Sequence, residues 1–371
     1  MCASVLAEEN APAEQPEVDE SPPVETPEAE ITAKPSEKLI EQVWEKYSVF
    51  FPDETLHSIP LEKIFPGAPI DMIPALTRPK MIKADEAAYL NDDDSVLGIE
   101  INGDARAFPL RVMLWHEIVN DVIGEIPVSV TYCPLCGTGI AFDSRLDGKM
   151  TRFGVSGLLH NNDLLMYNRG ADIPSLWQQA QGKAVAGPLT GTQLEFLPVT
   201  HTSWEDWKAR HPQTTVLSLE TGHQRNYDMN PYKNYEQEKQ PYFPMSDLRY
   251  DMPLKTWVYG VVVNGQARAY PVAQLKTKRL THDKLGETNL LLIVGGGEAP
   301  NARAYLRGAR SFHFKGEKLM DERDLAWEIT ESALKGPDGE ELPRIGSAFA
   351  SYWFAWTAFY PHTDIYNSEA P

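Results

Sequence analysis

Residues 96–109 read VLGIEINGDARAFP, and residues 258–271 read VYGVVVNGQARAYP. In both segments apolar residues alternate on either side of Asn-Gly, the dipeptide that most favours a tight β-hairpin turn. The two segments lie 162 residues apart, and the same offset relates Gly124 to Gly286 at the turn before the next strand. A hairpin that recurs with its flanking turn indicates a strand-rich unit that occurs twice in the chain.

The ends of the two units also match, at a slightly different spacing. At an offset of 149, Trp204, Trp207 and Pro212 recur as Trp353, Trp356 and Pro361. We therefore predict a mainly β fold, with α+β as the alternative, in which an antiparallel strand-rich unit is duplicated and helices are few and short. The first repeat would span residues 96–218, a connecting segment 219–256, and a degenerate second repeat 257–366.

Two different segments precede the repeats. Residues 8–38 hold ten acidic residues, six prolines and two lysines, a composition that cannot bury a core. We assign residues 1–37 to a signal remnant or lipoprotein start followed by this disordered acidic Pro/Glu linker. Residues 38–95 should form an N-terminal helix, from the helical spacing over 38–47, and a proline-rich segment that wraps the core.

The extreme N-terminus indicates export in two of three interpretations. Val5-Leu6-Ala7 fits the small-residue site at the end of a cleaved secretory signal. Alternatively Cys2 is the lipid-bearing first residue of a mature lipoprotein, which would tether the chain to a membrane. An ordinary cytosolic start is the third interpretation. We expect an exported protein, periplasmic or on the outer surface, with a lipid anchor as one option.

Composition excludes several classes of protein. The formal net charge is -19, which argues against nucleic acid because phosphate binding needs a basic surface. No apolar run reaches 18 residues, so we predict no transmembrane helix. Apolar residues make up 42%, as in an ordinary globular protein with a sizeable core.

The residues best suited to bind a metal or to undergo redox chemistry lie in Thr131–Gly137, which reads TYCPLCG. It contains Cys133 and Cys136; the third cysteine of the chain is Cys2. Two thiols at this spacing before a glycine form a chelating knuckle, in which Gly137 is free to adopt a positive φ. The spacing also suits a redox dithiol or a structural disulfide.

Two histidines of the first repeat are candidate third ligands. His116 lies one strand before the cysteines, in a Trp115–Val122 stretch that we expect to be a short helical turn, and His160 follows Gly157 to Leu159. Two thiolates and an imidazole suit a transition metal, copper or zinc. In an exported protein a soft fourth donor favours copper, and in a cytosolic one we expect zinc. Candidates for that fourth position are Met113, Met150, Met166, Asp143 and Asp163.

The second repeat lacks these side chains. At the offset of 162, Cys133 falls on Gly295, Cys136 on Glu298, and His116 on Lys278. The repeated unit therefore does not need them to fold, which favours a functional site in the first repeat and a structural role for the second.

Several longer motifs together resemble one known family. They are Ile73–Thr77, Gly98–Pro109, Trp115–Asp121, Thr131–Gly139, Gly154–Leu159, Asp163–Tyr167 and Ala186–Gly191. Over about residues 70 to 366 the chain resembles the exported bacterial family known as domain of unknown function 3179. The resemblance implies export and a Cys/His site at His116, Cys133 and Cys136, but it implies no reaction.

We therefore predict a protein with one Cys2His-type metal site, acting in metal delivery or redox with a metal donor or acceptor protein as its partner. A thiol–disulfide redox protein is the first alternative. Against it, the cysteines follow a strand, and no helix begins there to lower a thiol pKa. A binding module with a structural disulfide is the second alternative.

Overall fold

The computed structural model describes residues 47–52, 54–245 and 247–367. The predicted linker, and all of the predicted N-terminal helix except Tyr47, lie outside these residues. The described part is rich in strands, and its five α-helices are short, so the predicted fold class is confirmed. The helices are α1 (Leu110–His116), α2 (Trp204–Arg210), α3 (Lys233–Gln237), α4 (Val272–Leu275) and α5 (Trp353–Phe359).

The strands fall into a first and a second half. In the first half they are β1 (Ile64–Pro66), β2 (Leu76–Thr77), β3 (Met81–Lys83), β4 (Ser95–Ile101), β5 (Asp104–Pro109), β6 (Ile118–Ile123), β7 (Ile126–Cys133), β8 (Thr138–Asp143), β9 (Arg145–Leu146), β10 (Lys149–Met150), β11 (Phe153–His160), β12 (Asp163–Asn168), β13 (Leu176–Gln178), β14 (Lys183–Ala186), β15 (Glu195–Leu197), β16 (Thr200–Ser203) and β17 (Thr215–Leu217). In the second half they are β18 (Trp257–Val263), β19 (Gln266–Pro271), β20 (Leu280–Leu285), β21 (Thr288–Val294), β22 (Ala302–Leu306), β23 (Phe312–Lys315), β24 (Lys318–Asp321), β25 (Ala326–Ile329), β26 (Ala333–Lys335), β27 (Glu341–Pro343), β28 (Ala348–Tyr352) and β29 (Asp364–Ile365).

The duplicated hairpins form the centres of two equivalent sheets. The order β16-β4-β5-β17 in the first half matches β28-β18-β19-β29 in the second. In both sheets the fourth of these strands runs parallel to the third, although the other pairs are antiparallel. The first sheet has a fifth strand, β3, which pairs antiparallel with β17. The same indole hydrogen bond closes both units, from Trp207 Nε1 to Thr214 Oγ1 and from Trp356 Nε1 to Thr363 Oγ1, each at 2.9 Å.

A glycine in each central strand makes room for that tryptophan. A Cβ atom on Gly98 would lie 2.1 Å from the ring of Trp207, and one on Gly260 would lie 2.1 Å from the ring of Trp356. No real Cβ atom approaches that closely, because a side chain there would overlap the indole. The glycine, the tryptophan and the threonine are thus one packing unit that both repeats keep.

Two short helices show how local sequence sets the elements around the site. Helix α2 begins after Ser203, whose hydroxyl accepts the Asp206 N–H at 3.3 Å. The expected helical turn over residues 115–122 is wrong, because α1 ends at His116 and the next strand is β6. Glu117 takes a positive φ of 56°, which breaks the helix, and the β-branched residues that follow suit a strand.

The largest apolar core joins both halves. It contains Val130 and Ile140 from the first half and Trp353 and Phe354 from the second, together with both cysteines of the knuckle. The backbone N–H of Tyr352 also donates to the Cys136 carbonyl at 2.8 Å. The second repeat therefore packs directly behind the knuckle.

Candidate metal centre

The knuckle is the turn between β7 and β8. Strand β7 ends at Cys133, and the N–H groups of Cys136 and Gly137 both donate to the Cys133 carbonyl, at 3.2 and 2.9 Å. Gly137 has the predicted positive φ, at 70°. A Cβ atom at that position would also lie 2.6 Å from the Trp257 ring, so the turn and its packing both require glycine.

The tip of the β11–β12 hairpin faces the two thiols. Its turn residues Asn161 and Asn162 have φ values of 53° and 63°, as a two-residue type I′ turn requires. The turn places the Asn162 carbonyl within 3.5 Å of Cys133 Sγ and 3.3 Å of Cys136 Sγ, and both thiols donate to it. The first residue of β12, directly after this turn, is Asp163.

Asp163 completes a compact group with the cysteines. One oxygen of its carboxyl group and the two sulfur atoms all lie within 4.8 Å of one another, and all three residues are buried. Its Oδ2 accepts hydrogen bonds from the Ala180 N–H at 2.9 Å and the Gln178 amide at 2.5 Å. Its Oδ1 has no hydrogen-bond partner in the described part of the chain. A buried carboxylate oxygen without a partner, beside two thiols, is an arrangement that a cation would satisfy.

Burial dominates the electrostatics of the group. It raises the pKa of Asp163 to about 7, although hydrogen bonds from Ala180 and Gln178 act in the opposite direction. Burial also raises the pKa of Cys133 and holds that of Cys136 well above its ordinary value. Without a cation the two thiols therefore retain their protons at neutral pH and Asp163 is about half protonated, whereas a bound metal ion would compensate the negative charge and displace the protons.

A second buried carboxyl group, Glu117, lies near this centre, and sequence reasoning missed it. Its Oε1 accepts the Tyr232 hydroxyl at 3.1 Å, and its backbone carbonyl accepts the Tyr132 N–H at 2.7 Å. Burial raises its pKa to about 8, and the negative charge of Asp163 adds to the effect. A buried residue other than glycine with a positive φ is characteristic of functional sites. The only sequence signal was its position beside His116.

The structure does not bring His116 into the group with the cysteines. Its ring is buried, Nδ1 lies 2.8 Å from the Pro74 carbonyl, and Nε2 lies 2.7 Å from the Tyr227 hydroxyl. Burial lowers its pKa to about 3, so the ring is neutral at physiological pH. Both nitrogens are thus engaged by protein groups. The residue that lies beside the two thiols is Asp163, not the histidine of the Cys2His hypothesis.

His160 does not belong to the group of Cys133, Cys136 and Asp163, but it supports Asp163 from beside it. It pairs with Asp163 across the hairpin, and its Nδ1 lies 2.7 Å from Gln178 Oε1. The amide nitrogen of the same glutamine donates to Asp163 Oδ2. His160 therefore orients the group that holds the carboxylate.

The other candidates for a fourth donor differ in their surroundings. Met113 and Met166 are buried in the same apolar core as the cysteines, Met150 is 43% exposed, and Asp143 is paired with Arg145. Of the two aspartates considered, Asp163 belongs to the group with the cysteines and Asp143 does not. Cys133 and Cys136 are free thiols, so the structure does not contain the disulfide that the sequence left open.

The segment that connects the two repeats covers the centre. The Tyr235 hydroxyl donates to the Leu135 carbonyl at 2.7 Å, between the two cysteines. Phe243 forms a pair of backbone hydrogen bonds with the Asn162 side chain, at 2.8 and 3.0 Å. The predicted connecting segment 219–256 is therefore part of the site, because it excludes water from the thiols.

No described helix is long and apolar enough to cross a membrane.

Comparison with known proteins supports the resemblance seen in the sequence. No curated protein and no solved structure matches this chain significantly. The family model described as "Protein of unknown function (DUF3179)" matches residues 70–363, which include the knuckle, the β11–β12 hairpin, the first repeat and all but the last three residues of the second. The chain belongs to the DUF3179 family of proteins of unknown function.

Proposed function

We propose that this protein binds one divalent transition-metal ion, best matched by zinc, through Cys133, Cys136 and Asp163. The observation that carries the proposal is the Oδ1 atom of Asp163, which is buried, lacks a hydrogen-bond partner and lies beside two free thiols. A metal ion would compensate the charge of all three groups and supply the missing partner of Oδ1.

The donor set favours zinc over copper. Zinc is commonly bound by cysteine sulfur together with carboxylate oxygen, whereas Cu(I) prefers soft thiolate and thioether donors. The group contains a carboxylate, a hard oxygen donor that zinc accepts and Cu(I) does not favour. Water would supply the fourth donor of a tetrahedral zinc ion.

A role in holding or delivering metal agrees better with the site than thiol–disulfide exchange. An attacking cysteine needs a lowered pKa and access to its substrate, whereas burial raises the pKa of both thiols and the connecting segment covers them. Export, with a lipid anchor as one option, and a metal donor or acceptor protein as partner complete the proposal. Export rests on the N-terminal sequence and the family resemblance, and the partner rests on the proposed metal site.

Elemental analysis of the full-length chain tests the proposal. We expect about one zinc ion per chain after incubation with zinc and removal of excess, and less than a tenth of that in Cys133→Ser or Asp163→Asn. Cys2→Ser and Asp172→Asn are the matched controls. Cys2 is the third cysteine, Asp172 is exposed, and both variants should bind like the wild type. Equal zinc in Cys133→Ser and the wild type would refute the assignment.

A further inference from the structure

The three residues of the candidate metal centre are closed off from solvent. Cys133, Cys136 and Asp163 are each at most 1% exposed. Protein interiors are packed too closely for a hydrated ion to pass between the side chains. An ion can therefore reach or leave these residues only when part of the structure around them moves away.

One wall of the centre is only lightly tied to the rest of the fold. This wall is the part of the connecting segment at residues 230–243, which we call the cover. It contains the five-residue helix α3 and no strand, and the backbone–backbone hydrogen bonds of these described residues stay within the cover. The knuckle and the β11–β12 hairpin belong instead to five-stranded sheets. Local opening takes the least free energy where such ties are few, so the cover is the wall that opens.

Two contacts fasten the cover to residues next to the metal-binding groups. The Tyr235 hydroxyl donates to the carbonyl of Leu135, which lies between the two cysteines. The side chain of Asn162, directly before Asp163, accepts the Phe243 N–H at 2.8 Å and donates to the Phe243 carbonyl at 3.0 Å. The chain between these two contacts, residues 236–240, is exposed. The cover is thus fastened at two points with an exposed stretch between them.

Lys255 keeps the ring of Tyr235 in place. Its Nζ lies 3.2 Å from the centroid of that ring and donates to the Tyr235 carbonyl. Burial, with a smaller contribution from the charge of the two thiols, raises the pKa of Tyr235, so its hydroxyl stays protonated as a donor. Tyr235→Phe would therefore remove the contact with the knuckle and keep the position of the ring.

We propose that the cover is the gate of the metal centre, and that the ion enters and leaves only while Tyr235 and Phe243 are detached from the knuckle and the hairpin tip. The inference rests on the proposed function and assigns the step that controls exchange of the ion. Neither the Leu135 carbonyl nor the Asn162 side chain is one of the proposed ligands, so both contacts stabilise the closed state equally with and without the ion. Weakening either contact should therefore speed loading and release by the same factor and leave the Kd unchanged.

Stopped-flow measurement of Co²⁺ exchange tests the proposal, because cobalt–thiolate absorption reports the ion at the cysteines. Loading is followed after the full-length chain is mixed with Co²⁺, and release after the loaded chain is mixed with excess chelator. Tyr235→Phe removes one hydrogen bond, and both rates should rise about fivefold. Asn162→Gly removes two and suits the positive φ of the turn, and both rates should rise about tenfold or more. Both variants should bind one Co²⁺ with the Kd of the wild type.

Matched controls separate the gate from a general effect of each substitution. Tyr250→Phe changes a tyrosine that is 70% exposed and lies outside the cover. Asn161→Gly changes the other residue of the same turn, whose side chain forms no hydrogen bond with the cover among the described residues. Both controls should exchange Co²⁺ at the wild-type rates.

The outcomes distinguish failure of the gate from failure of the metal centre. If the wild type gives no cobalt–thiolate absorption, the metal centre is refuted and the gate with it. If the wild type binds Co²⁺ but Tyr235→Phe and Asn162→Gly exchange it at the wild-type rates, the gate alone is refuted. The gate alone is also refuted if the two variants speed only release and so bind Co²⁺ more weakly.

Discussion

Asp163→Asn should have opposite effects on stability with and without metal. In the metal-free protein, the folded chain holds a buried carboxyl group whose pKa is about 7, compared with an ordinary value of 3.8. At about 1.4 kcal/mol for each tenfold change in acidity, an ionised Asp163 costs the folded state roughly 4 kcal/mol above pH 7. Asparagine keeps an oxygen for Ala180 and Gln178 and removes that charge.

Part of the stability that Asp163→Asn gains by removing the buried charge is lost again. The amide nitrogen of asparagine would replace the unpartnered Oδ1, and a buried donor without a partner costs about 1–3 kcal/mol. We therefore expect the metal-free variant to be about 1–3 kcal/mol more stable than the wild type at pH 8. Between about pH 4 and 7 the folded wild type binds a proton that the unfolded chain releases. Its stability therefore rises as the pH falls, and the advantage of the variant shrinks.

With zinc bound, the wild type should instead be more stable than Asp163→Asn. A ligand that binds only the folded state at 100 times its Kd adds about 2.7 kcal/mol to the wild type, and the variant without Oδ1 should gain little of this. Urea unfolding at pH 8, once with a chelator and once with zinc, measures both values, with Asp172→Asn as the neutral control. If the metal-free variant were less stable than the wild type by more than 1 kcal/mol, or if zinc stabilised both proteins equally, the reasoning would be refuted.

Three further predictions follow from the packing and from the buried charges. Gly98→Ala should lower the free energy of unfolding by about 1–3 kcal/mol or more, measured by thermal unfolding, because its Cβ would overlap Trp207. Gly296→Ala, in open space, should lower it by less than about 0.5 kcal/mol. Burial alone would raise the pKa of Glu331, but His211 and three arginines hold this pKa well below the ordinary value. The ionised Glu331 therefore stabilises the fold, and this stabilisation is lost as the pH falls through the lowered pKa. Glu331→Gln should therefore cost about 3–5 kcal/mol at pH 7 and flatten the acid limb of the stability profile, whereas exposed Glu328→Gln should change neither, as urea titrations at several pH values would show. His116→Ala should retain about one zinc per chain in elemental analysis. It should lose about 1–3 kcal/mol of unfolding free energy, because the Tyr227 hydroxyl and the Pro74 carbonyl lose their partner. Complete loss of zinc with the fold intact would restore His116 as a ligand.

The repeated hairpin could be predicted from sequence because its signals are local. Asn-Gly between alternating apolar residues specifies the turn and the faces of both strands within about 14 residues. The tryptophans at the second offset indicated the same unit, and the structure shows why: each occupies the space that Gly98 or Gly260 leaves. Glu117 has a positive φ although it is not a glycine, so no local pattern indicated that α1 would end at His116.

The candidate metal centre could be predicted only in part because its residues are distant in sequence. The spacing of Cys133 and Cys136 is visible directly, but their third neighbour depends on which hairpin tip faces the knuckle. Asp163 was considered only as a fourth donor, since a single aspartate after Asn-Asn is usually a turn residue. His116 was preferred for its chemistry and its position one strand away. The structure shows that its nitrogens instead contact Pro74 and Tyr227, about 40 and 110 residues away.

The candidate site lies outside the hairpin sheets that the two repeats share. In the second copy Gly295 occupies the position of Cys133, packed so closely against Asn301 that a Cβ atom would lie 2.0 Å from its amide nitrogen. Asp163 belongs to the sheet β1-β11-β12-β13-β14, and the cysteines adjoin the sheet β15-β8-β7-β6-β2. All three residues thus belong to parts of the first half that the shared hairpin sheet does not need. The second copy contributes the packing behind Cys136 and the ring of Trp257 against Gly137, and this rigid support holds the two thiols in place opposite Asp163.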